Sequence, residues 1–531
     1  MNISSVKFSK VIYAYFHNSL CIHVTNVIPS ALFSEIFYSL QYKGNEQFII
    51  YPGEAEIFIR SMELVKYGDF GLERWFNYHG YLNKLNMQVK TNSNLFYFQA
   101  VASARIRSDE FIKEFLVNHQ KIPILVHDLI MVELWKQKVF KIILSDKEEP
   151  TSAFPLYTII YHELLLANLL ETVTFHNDAV ETFGDSVTDL GDWCHRSLCY
   201  LVTQSASEEE KAVYFELKNK VSDTSNLKDL DRHYKVIEYE KGIKAITIVR
   251  HLFENCLNSD SGLPPNIGRR LLYTHDIPII LCQLLEQKPW VIIGCDKSNT
   301  QRRQHIWHEN GSWIPDDKTS CVIHKPEAQI WLCLFQILLA NSSSLKYDCS
   351  VGHRRTALLK LRPLLTEVKL DVLPVLIDLR RFLEHLSLNE SYGGTSDKIN
   401  MCLIEVVPEI RESLVSKYKN KWRKLATLFQ EQTESNRGKE AAKKAALQWT
   451  EAFSEEHLSQ LFSSSLGNSG DENPLYPTPR CPTCGEIASK RCSRCRQEWY
   501  CGRECQVKHW LKHKDACDLL SGAITSDKNS N

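Results

Sequence analysis

The sequence predicts a mainly α-helical protein that carries a small cysteine-rich module near its C-terminal end. Three observations favour this fold class. Apolar residues recur three and four positions apart from about Asp109 to Phe453, and proline stands at the start of three predicted helices. Seven cysteines and one histidine form four tight pairs between Cys481 and Cys517. A helical body followed by a metal-binding module is therefore expected.

Composition limits the classes of function. The chain has 531 residues, 44% of them hydrophobic, and a formal net charge of −1. It is long enough to bury a large core and too neutral to act as a polyelectrolyte partner of nucleic acid. No apolar run reaches the ~18 to 20 residues that cross a bilayer, so no membrane insertion is expected. The apolar stretch from Val11 to Phe16 is cut by His17 and is a poor signal peptide, which makes the cytoplasm the expected location.

The N-terminal part, residues 1–51, contains aromatic and β-branched clusters without a clear period, and no role is predicted for it. From residue 52 to 455 we predict an α-helical body. Three of its apolar faces are the clearest. They comprise Leu125, Leu129, Val132 and Leu134; Tyr157, Ile160, Leu164, Leu165, Leu169 and Val173; and Ile243, Ile246, Val249, Leu252 and Phe253.

A weak internal repeat favours stacked helices. The motifs at 122–125, 277–280 and 373–376 each place proline where a helix begins, because the missing N–H costs nothing there. His119 and His275 precede the first two motifs, as polar turns precede the core helix of armadillo-type repeats. The intervals are irregular, so we predict an irregular armadillo/HEAT-like helical-repeat body. The segment from Cys295 to Lys325, with two tryptophans among polar turn formers, does not fit this pattern.

Beyond the repeats the composition becomes charged. Arg437 to Phe453 reads as a helix with Trp449 on its apolar edge. Residues 456–480 are predicted to be a flexible linker, since Ser463 to Pro479 is rich in serine, glycine and proline. Residues 481–517 form the finger, and a disordered tail is expected over 518–531.

The cysteine-rich module predicts two zinc ions. Its pairs are Cys481/Cys484, Cys492/Cys495, Cys501/Cys505 and His513/Cys517. A structural zinc ion takes four thiolate or imidazole ligands, so eight ligands correspond to two Zn²⁺. The first two pairs have knuckle spacing, and the last two have the i, i+4 spacing that places both side chains on one helix face.

Spacing alone permits a sequential, nested or interleaved assignment of pairs to ions, although only five residues separate Cys495 from Cys501, which makes neighbouring pairs awkward partners. A disulfide cluster would need an oxidising compartment, and a redox C-x2-C would not be repeated beside histidine. Cys194, His195 and Cys199 suggest a third metal site but lack a nearby fourth ligand.

The order C-x2-C, C-x2-C, Y-C-x3-C, H-x3-C, with Gln506 and Trp510 inside the last helix, resembles a MYND-type zinc finger. The resemblance implies cross-bracing, with Cys481, Cys484, Cys501 and Cys505 on one zinc ion and Cys492, Cys495, His513 and Cys517 on the other. It leaves His509 outside both sites. It also implies a shallow groove for proline-containing peptides at Ser493, Gln506 and Trp510, because an indole offers a flat apolar face and one donor. The alternative for Trp510 is a purely structural role in the small core.

Basic side chains crowd the finger, namely Lys490, Arg491, Arg494, Arg496, Arg503, Lys508, Lys512 and Lys514. They could form a nucleic-acid surface. We favour the alternative that they offset the net negative charge of the zinc–thiolate centres, and we expect no nucleic-acid partner.

No enzyme signature is found: the sequence lacks a Walker loop, G-x-G-x-x-G, G-x-S-x-G, H-E-x-x-H and kinase motifs. Some MYND fingers are embedded in lysine methyltransferases, but there a catalytic domain surrounds the finger, whereas this finger follows a helical body. Histidine–carboxylate neighbours such as His162 and Glu163, or His251 and Glu254, usually are core or solvated residues at helical spacing. We therefore predict that the chain is not an enzyme.

The match extends beyond a generic finger. The strings at 488–495, 498–501 and 503–510, with body segments at 52–56, 84–88, 132–140 and 169–173, resemble the zinc finger MYND domain-containing protein 10 (BLU) family from about Pro52 to Cys517. Residues 1–51 and a stretch around 89–99 look like additions.

The resemblance implies a cytoplasmic factor for the preassembly of axonemal dynein arms, found in the cytoplasm of cells with motile cilia, including centriolar satellites and the apical cytoplasm. The partners it implies are a leucine-rich-repeat dynein assembly factor, an FKBP-type co-chaperone with a heat-shock chaperone, and axonemal dynein heavy and intermediate chains as clients. The rival interpretation is a nuclear transcriptional corepressor adaptor, for which Arg437 to Lys444 is only a weak localisation cluster.

Overall fold

The helical body predicted from the sequence is observed in a computed structural model of the chain. The structure describes residues 50, 52–93, 108–146, 149–219, 225–257, 263, 265–295, 302–307, 313–315, 323–339, 345–349, 352–388, 407–452, 481–484, 488, 490–494, 499–510, 513–514 and 517. Predictions about residues 1–49, the linker at 456–480 and the tail at 518–531 lie outside the described residues.

The first half of the body consists of helices that follow one another through short turns. In chain order these are α1 (Pro52–Ser61), α2 (Glu73–Ser93), α3 (Ser108–Asn118), α4 (Ile122–Trp135), α5 (Lys141–Asp146), α6 (Phe154–Phe175), α7 (Asn177–Val180), α8 (Ser186–Gln204), α9 (Glu208–Asn219) and α10 (Asn226–Leu257). A π-helical turn, Lys136–Phe140, joins α4 to α5, and 3₁₀ turns lie at Tyr67–Asp69 and Glu181–Phe183.

The second half adds a small sheet between helices. Its elements are α11 (Pro265–Arg269), α12 (Ile277–Gln287), β1 (Val291–Cys295), β2 (Arg302–Trp307), β3 (Trp313–Pro315), α13 (Lys325–Leu339), α14 (Gly352–Leu359), α15 (Glu367–Val372), α16 (Leu376–Leu388), α17 (Ile410–Tyr418), α18 (Trp422–Glu434) and α19 (Asn436–Ala452). A second π-helical turn, Arg270–Thr274, follows α11, and a 3₁₀ turn lies at Arg362–Leu364. The mainly α prediction is confirmed.

The apolar faces predicted from periodicity do form the core. Every residue named for the faces on α4, α6 and α10 is buried except Tyr157, which is half-buried. Proline occupies the first turn of α4 and of α12, while Pro374 precedes α16. Burial is not confined to these faces, because every residue of α6 from Thr158 to Thr174 and of α10 from Val236 to Phe253 is buried. The periodicity therefore identified core positions, while the packing of neighbouring helices buries the other sides as well.

Helix α10 is the central element of the body and contacts α6, α8, α9, α11 and α13. Its close approach to α8 depends on Gly242. A Cβ atom at this position would lie 2.9 Å from Leu201 Cβ and 3.2 Å from the Ser197 carbonyl oxygen. Glycine costs about 1 kcal/mol of helix propensity, so its presence inside α10 is explained by backbone proximity.

Charged side chains are buried where α4, α6 and α10 meet. Lys136, in the π-helical turn, contacts Glu163 and lies 2.5 Å from Glu238. Lys241 bridges the same two carboxylates at 2.9 Å each. The Trp193 indole donates to Glu163 at 2.8 Å. All members are nearly inaccessible to solvent, so each charge depends on its partners within the protein.

The last three helices of the body fold back onto its beginning. Asp189 of α8 accepts hydrogen bonds from the backbone N–H groups of Glu409, Ile410 and Arg411 at 3.2, 3.4 and 3.3 Å. It thus caps α17 from another helix, although no local side chain does so. Helix α19 packs against α2, and Lys444 pairs with Glu73 at 2.6 Å. The predicted helix over 437–453 corresponds to α19.

The segment from Cys295 to Lys325 contains an element that the sequence did not predict. Strands β1, β2 and β3 form an antiparallel sheet in that order, with Ile292 opposite His305 and Trp307 opposite Trp313. Strand β1 packs against α9, and Trp313 meets Tyr214 of α9 edge-on at 6.0 Å. The strands are short and their apolar alternation is interrupted, which explains why periodicity missed them.

None of the helices among the described residues combines the length and the apolar character needed to span a bilayer.

Candidate metal centre

The C-terminal module is organised by a short hairpin and one helix. Strands β4 (Lys490–Arg491) and β5 (Trp499–Tyr500) pair with Arg491 opposite Trp499. A helix over residues 503–510, named α20 here, follows directly. Hairpin and helix enclose a small core of Cys481, Ala488, Cys492, Tyr500 and Cys517 that is separate from the core of the body.

The first group of candidate ligands joins the start of the module to the residues that follow β5 and begin α20. The sulfur atoms of Cys481, Cys484, Cys501 and Cys505 all lie within 4.8 Å of one another. Cys484 is 3.2 Å from Cys501 and 3.6 Å from Cys505. A disulfide would require about 2.05 Å, whereas tetrahedral zinc with Zn–S bonds of about 2.3 Å places its sulfurs about 3.8 Å apart. The donor set therefore fits a zinc ion.

Backbone N–H groups favour the thiolate form of one sulfur in this first group. Burial by itself raises the pKa of the Cys481 thiol. Hydrogen bonds from the backbone of Cys501, Thr483 and Cys484 outweigh it and bring the pKa to about 6. The pKa of Cys501 is raised, first by hydrogen bonds of its thiol with the sulfurs of Cys484 and Cys505, which favour the protonated form, and last by the charge of Cys481. Without a cation, this group does not hold several thiolates together. A bound metal ion would supply that cation.

The second group joins the residue after β4 to the C-terminal end of the module. Donor atoms of Cys492, His513 and Cys517 lie within 4.8 Å of one another and all three residues are buried. The two sulfurs are 3.7 Å apart. Cys495, the predicted fourth ligand, lies outside the described residues. Burial, followed by proximity to His509, lowers the pKa of His513, which favours the neutral imidazole that binds zinc.

The grouping is interleaved along the chain. Pairs one and three form the first group, and described members of pairs two and four form the second. This is the arrangement that the resemblance to MYND fingers implied, and spacing alone had left it open. Among the described residues no third group of this kind occurs, although the Cys199 sulfur lies 3.4 Å from Nε2 of His195.

Residues around the ligands include two that the sequence analysis did not single out. The Thr483 hydroxyl donates to the backbone oxygen of Cys505 at 2.9 Å and so links the first knuckle to α20. The buried Tyr500 has its hydroxyl 3.1 Å from Nδ1 of His509. His509 in turn stacks beside His513, with ring centroids 6.0 Å apart. The position of Tyr500 directly before a ligand was the available signal.

The predicted peptide-binding residues are all at least partly exposed. Gln506 and Trp510 are four residues apart on α20 and are partly exposed, so they share a helix face. The Trp510 ring also meets His513 edge-on at 6.1 Å. Ser493 is exposed in the hairpin turn. Trp510 thus contributes to the core and also retains accessible surface.

Comparison with known proteins agrees with this geometry. Residues 481–517 match the model of the family described as MYND finger. The C-terminal module is a MYND finger. The Arabidopsis thaliana ubiquitin carboxyl-terminal hydrolase 16 is 43% identical over 51 residues, which is 9% of this chain and 5% of that protein. Human Tudor domain-containing protein 1 is 40% identical over 58 residues, 10% of this chain and 5% of that protein.

A different relative matches most of the chain. The chain is 28% identical over 481 residues to the Drosophila melanogaster zinc finger MYND domain-containing protein 10 homolog, covering 88% of this chain and 98% of that protein. The predicted resemblance to this family is confirmed for the body as well as the finger. No solved structure matches the chain.

Proposed function

We propose that the chain is a non-enzymatic cytoplasmic adaptor in the preassembly of axonemal dynein arms, with a finger that holds two zinc ions and docks a peptide of a partner protein. One observation carries the proposal. The similarity to the zinc finger MYND domain-containing protein 10 homolog extends over 98% of that relative, so the body and the finger occur together in both chains.

The proposed division of labour follows from the two parts. The finger captures a segment of a leucine-rich-repeat assembly factor, and the body contacts dynein heavy or intermediate chains together with an FKBP-type co-chaperone and a heat-shock chaperone. Holding both on one chain raises their effective concentration, which strengthens assembly by ~10²- to 10⁴-fold where geometry allows. The zinc ions act structurally, because each predicted site has four protein ligands and leaves no open position for catalysis.

The docking surface on the finger rests on Trp510, Gln506 and Ser493. The matched test compares Trp510→Ala with Val507→Ala, since Val507 lies on the same helix and is 66% exposed. We expect Trp510→Ala to abolish proximity labelling of the assembly factor in ciliated cells, while zinc content stays at two ions and Val507→Ala labels normally. Loss of zinc in Trp510→Ala would assign this residue to the core instead.

The cellular proposal has its own test. Deletion of the gene in cells with motile cilia should remove dynein arms and leave their chains in the cytoplasm. The full-length protein should be cytoplasmic. A nuclear protein with intact arms after deletion would overturn the assembly function and favour a corepressor adaptor.

A further inference from the structure

The turn between α17 and α18 carries an unusual concentration of positive charge. Its five cations, all exposed, are Lys417, Lys419, Lys421, Arg423 and Lys424. No aspartate or glutamate occurs from Ser413 to Gln430, although the whole chain has a net charge of −1. Among the described residues, none of the ion pairs involves these five side chains; the nearest pairs use Arg411 and Lys439. We call residues 417–424 the basic corner.

Aromatic packing joins the basic corner to the body of the protein. The rings of Tyr418 and Trp422 meet the buried ring of Tyr67 edge-on, with centroids 4.8 and 5.6 Å away. The Tyr67 hydroxyl donates to the backbone oxygen of Met131 at 3.0 Å, which anchors this contact in α4. The ammonium groups of Lys417 and Lys421 lie 5.5 and 6.0 Å from the Tyr418 centroid. The charges are therefore gathered on an ordered base.

The needs of the two helices explain only part of this charge. Lys417 and Lys419 lie at the C-terminal end of α17, where a cation interacts favourably with the helix dipole. Arg423 and Lys424 lie in the first turn of α18, where cations are unfavourable by about 0.3–1 kcal/mol each and where no acidic residue compensates them. The second half of the corner thus reduces the stability of its own helix.

We propose that the basic corner is a docking surface for an acidic segment of a partner polypeptide, independent of the finger. The five cations lie close together at the end of α17 and the start of α18, so an extended segment with several carboxylates can pair with more than one of them at once. Lysine supplies point charges and Arg423 a bidentate fork for carboxylate. Such a surface gives the body a defined contact with a client and speeds encounter through electrostatic attraction.

Two other polyanions fit the corner less well. Single-stranded nucleic acid binds by stacking bases on exposed aromatic rings, but the two rings here pack against Tyr67. An anionic membrane surface is bound together with apolar insertion, and none of the exposed large apolar side chains in the described residues falls between 408 and 446. Because Tyr418 and Trp422 are only partly exposed and pack against Tyr67, the exposed surface of the corner is mainly positive charge, which favours carboxylates.

The test uses the full chain and a fluorescent oligoglutamate peptide as the probe, with binding followed by anisotropy. The variant is K419E/R423E/K424E, which leaves the two lysines over Tyr418 in place and adds acidic residues at the start of α18, where they suit the dipole. The control K228E/K346E/R362E makes the same change in net charge at three exposed, separated cations. Thermal unfolding of both variants checks that they are folded.

The corner variant should bind the probe roughly tenfold more weakly than the unchanged chain. The control variant should bind the probe nearly as tightly as the unchanged chain. Binding should weaken with salt, and Trp510→Ala should leave it unchanged, so that failure of the finger proposal does not decide this one. Equal losses in both triple variants, or no binding by the unchanged chain, would overturn the proposal. Tighter binding of a DNA oligonucleotide or of phosphatidylserine vesicles, lost in the corner variant, would also overturn it by assigning the surface to that polyanion.

Discussion

Lys241 donates a hydrogen bond to Glu163 across 2.9 Å between α10 and α6, and both side chains are almost completely buried. Lys136 and Glu238 complete the group, so the two cations face two carboxylates. Such a group joins the π-helical turn to two long helices. It stabilises this arrangement only while every charge keeps its partner.

Replacement of Lys241 should therefore be strongly destabilising. We expect Lys241→Met to lower the free energy of unfolding by about 3–5 kcal/mol, because Glu163 and Glu238 would share one remaining cation. Lys235→Met is the matched control on the same helix, since Lys235 is half exposed and pairs with Asp231. It should cost less than about 1 kcal/mol in urea unfolding. Equal effects of the two variants would contradict a special role for the buried group.

The same group predicts a pH dependence. Burial raises the pKa of Glu163, but Lys136 and Lys241 outweigh burial and bring it to about 2 in the folded chain, below the ordinary 4.5. A carboxylate whose pKa is lower in the folded chain stabilises the fold at pH values above its pKa in the unfolded chain. This stabilisation is lost as the pH falls from 4.5 towards about 2. The stability difference between the unchanged chain and Glu163→Gln should thus be largest above pH 4.5 and shrink in acid. Unfolding curves at a series of pH values measure it; a constant difference would argue against the assignment.

The cap that Asp189 provides to α17 should be needed for the return of the last three helices. Asp189→Ala should cost about 0.5–2 kcal/mol and accelerate hydrogen exchange at the amides of residues 409–411, which lose their acceptor. Asp185→Ala is the comparison, because Asp185 precedes α8 without a side-chain capping bond. It should leave exchange at 409–411 unchanged.

Backbone proximity at Gly242 gives a further stability prediction. Gly242→Ala should destabilise the chain by about 1–3 kcal/mol, because the added methyl group would push Leu201 and Ser197 away from α10. Gly352→Ala should be neutral or slightly stabilising, since no atom lies within 4 Å of its added Cβ. Thermal unfolding distinguishes the two. A stabilised Gly242→Ala would mean that the helices separate easily here.

Metal analysis tests the finger. The purified full chain should contain two zinc ions, and Cys505→Ser or His513→Ala should each remove at least one of them. His509→Ala should retain both, because its Nδ1 lies beside the Tyr500 hydroxyl and not within the second group. Retention of zinc in His513→Ala together with loss in His509→Ala would exchange the roles of these two histidines.

Several elements could be predicted because their signals are local. Core positions on α4, α6 and α10 follow from the recurrence of apolar residues three and four apart, and the starts of α4 and α12 follow from the fixed backbone of proline. The candidate ligands follow from the close spacing within each pair, because two ligands two to four residues apart can bind the same metal ion. The sequence analysis did not predict the strands around His305 and Trp313, because they are short. They are stabilised by antiparallel pairing with neighbouring strands, and no alternation of apolar residues within each strand marks them.

The sequence by itself determined the helical class of the body, apolar core positions on α4, α6 and α10, and the seven candidate ligands that the structure describes, since each depends on residues a few positions apart. Only the tertiary structure decided that Lys136 and Lys241 share Glu163, that Asp189 caps a helix about 220 residues away, and that Tyr67 supports the basic corner. The physical reason is that periodicity states which face of a helix is buried but not which helix it will meet. That choice depends on how all the faces of the chain pack together at once.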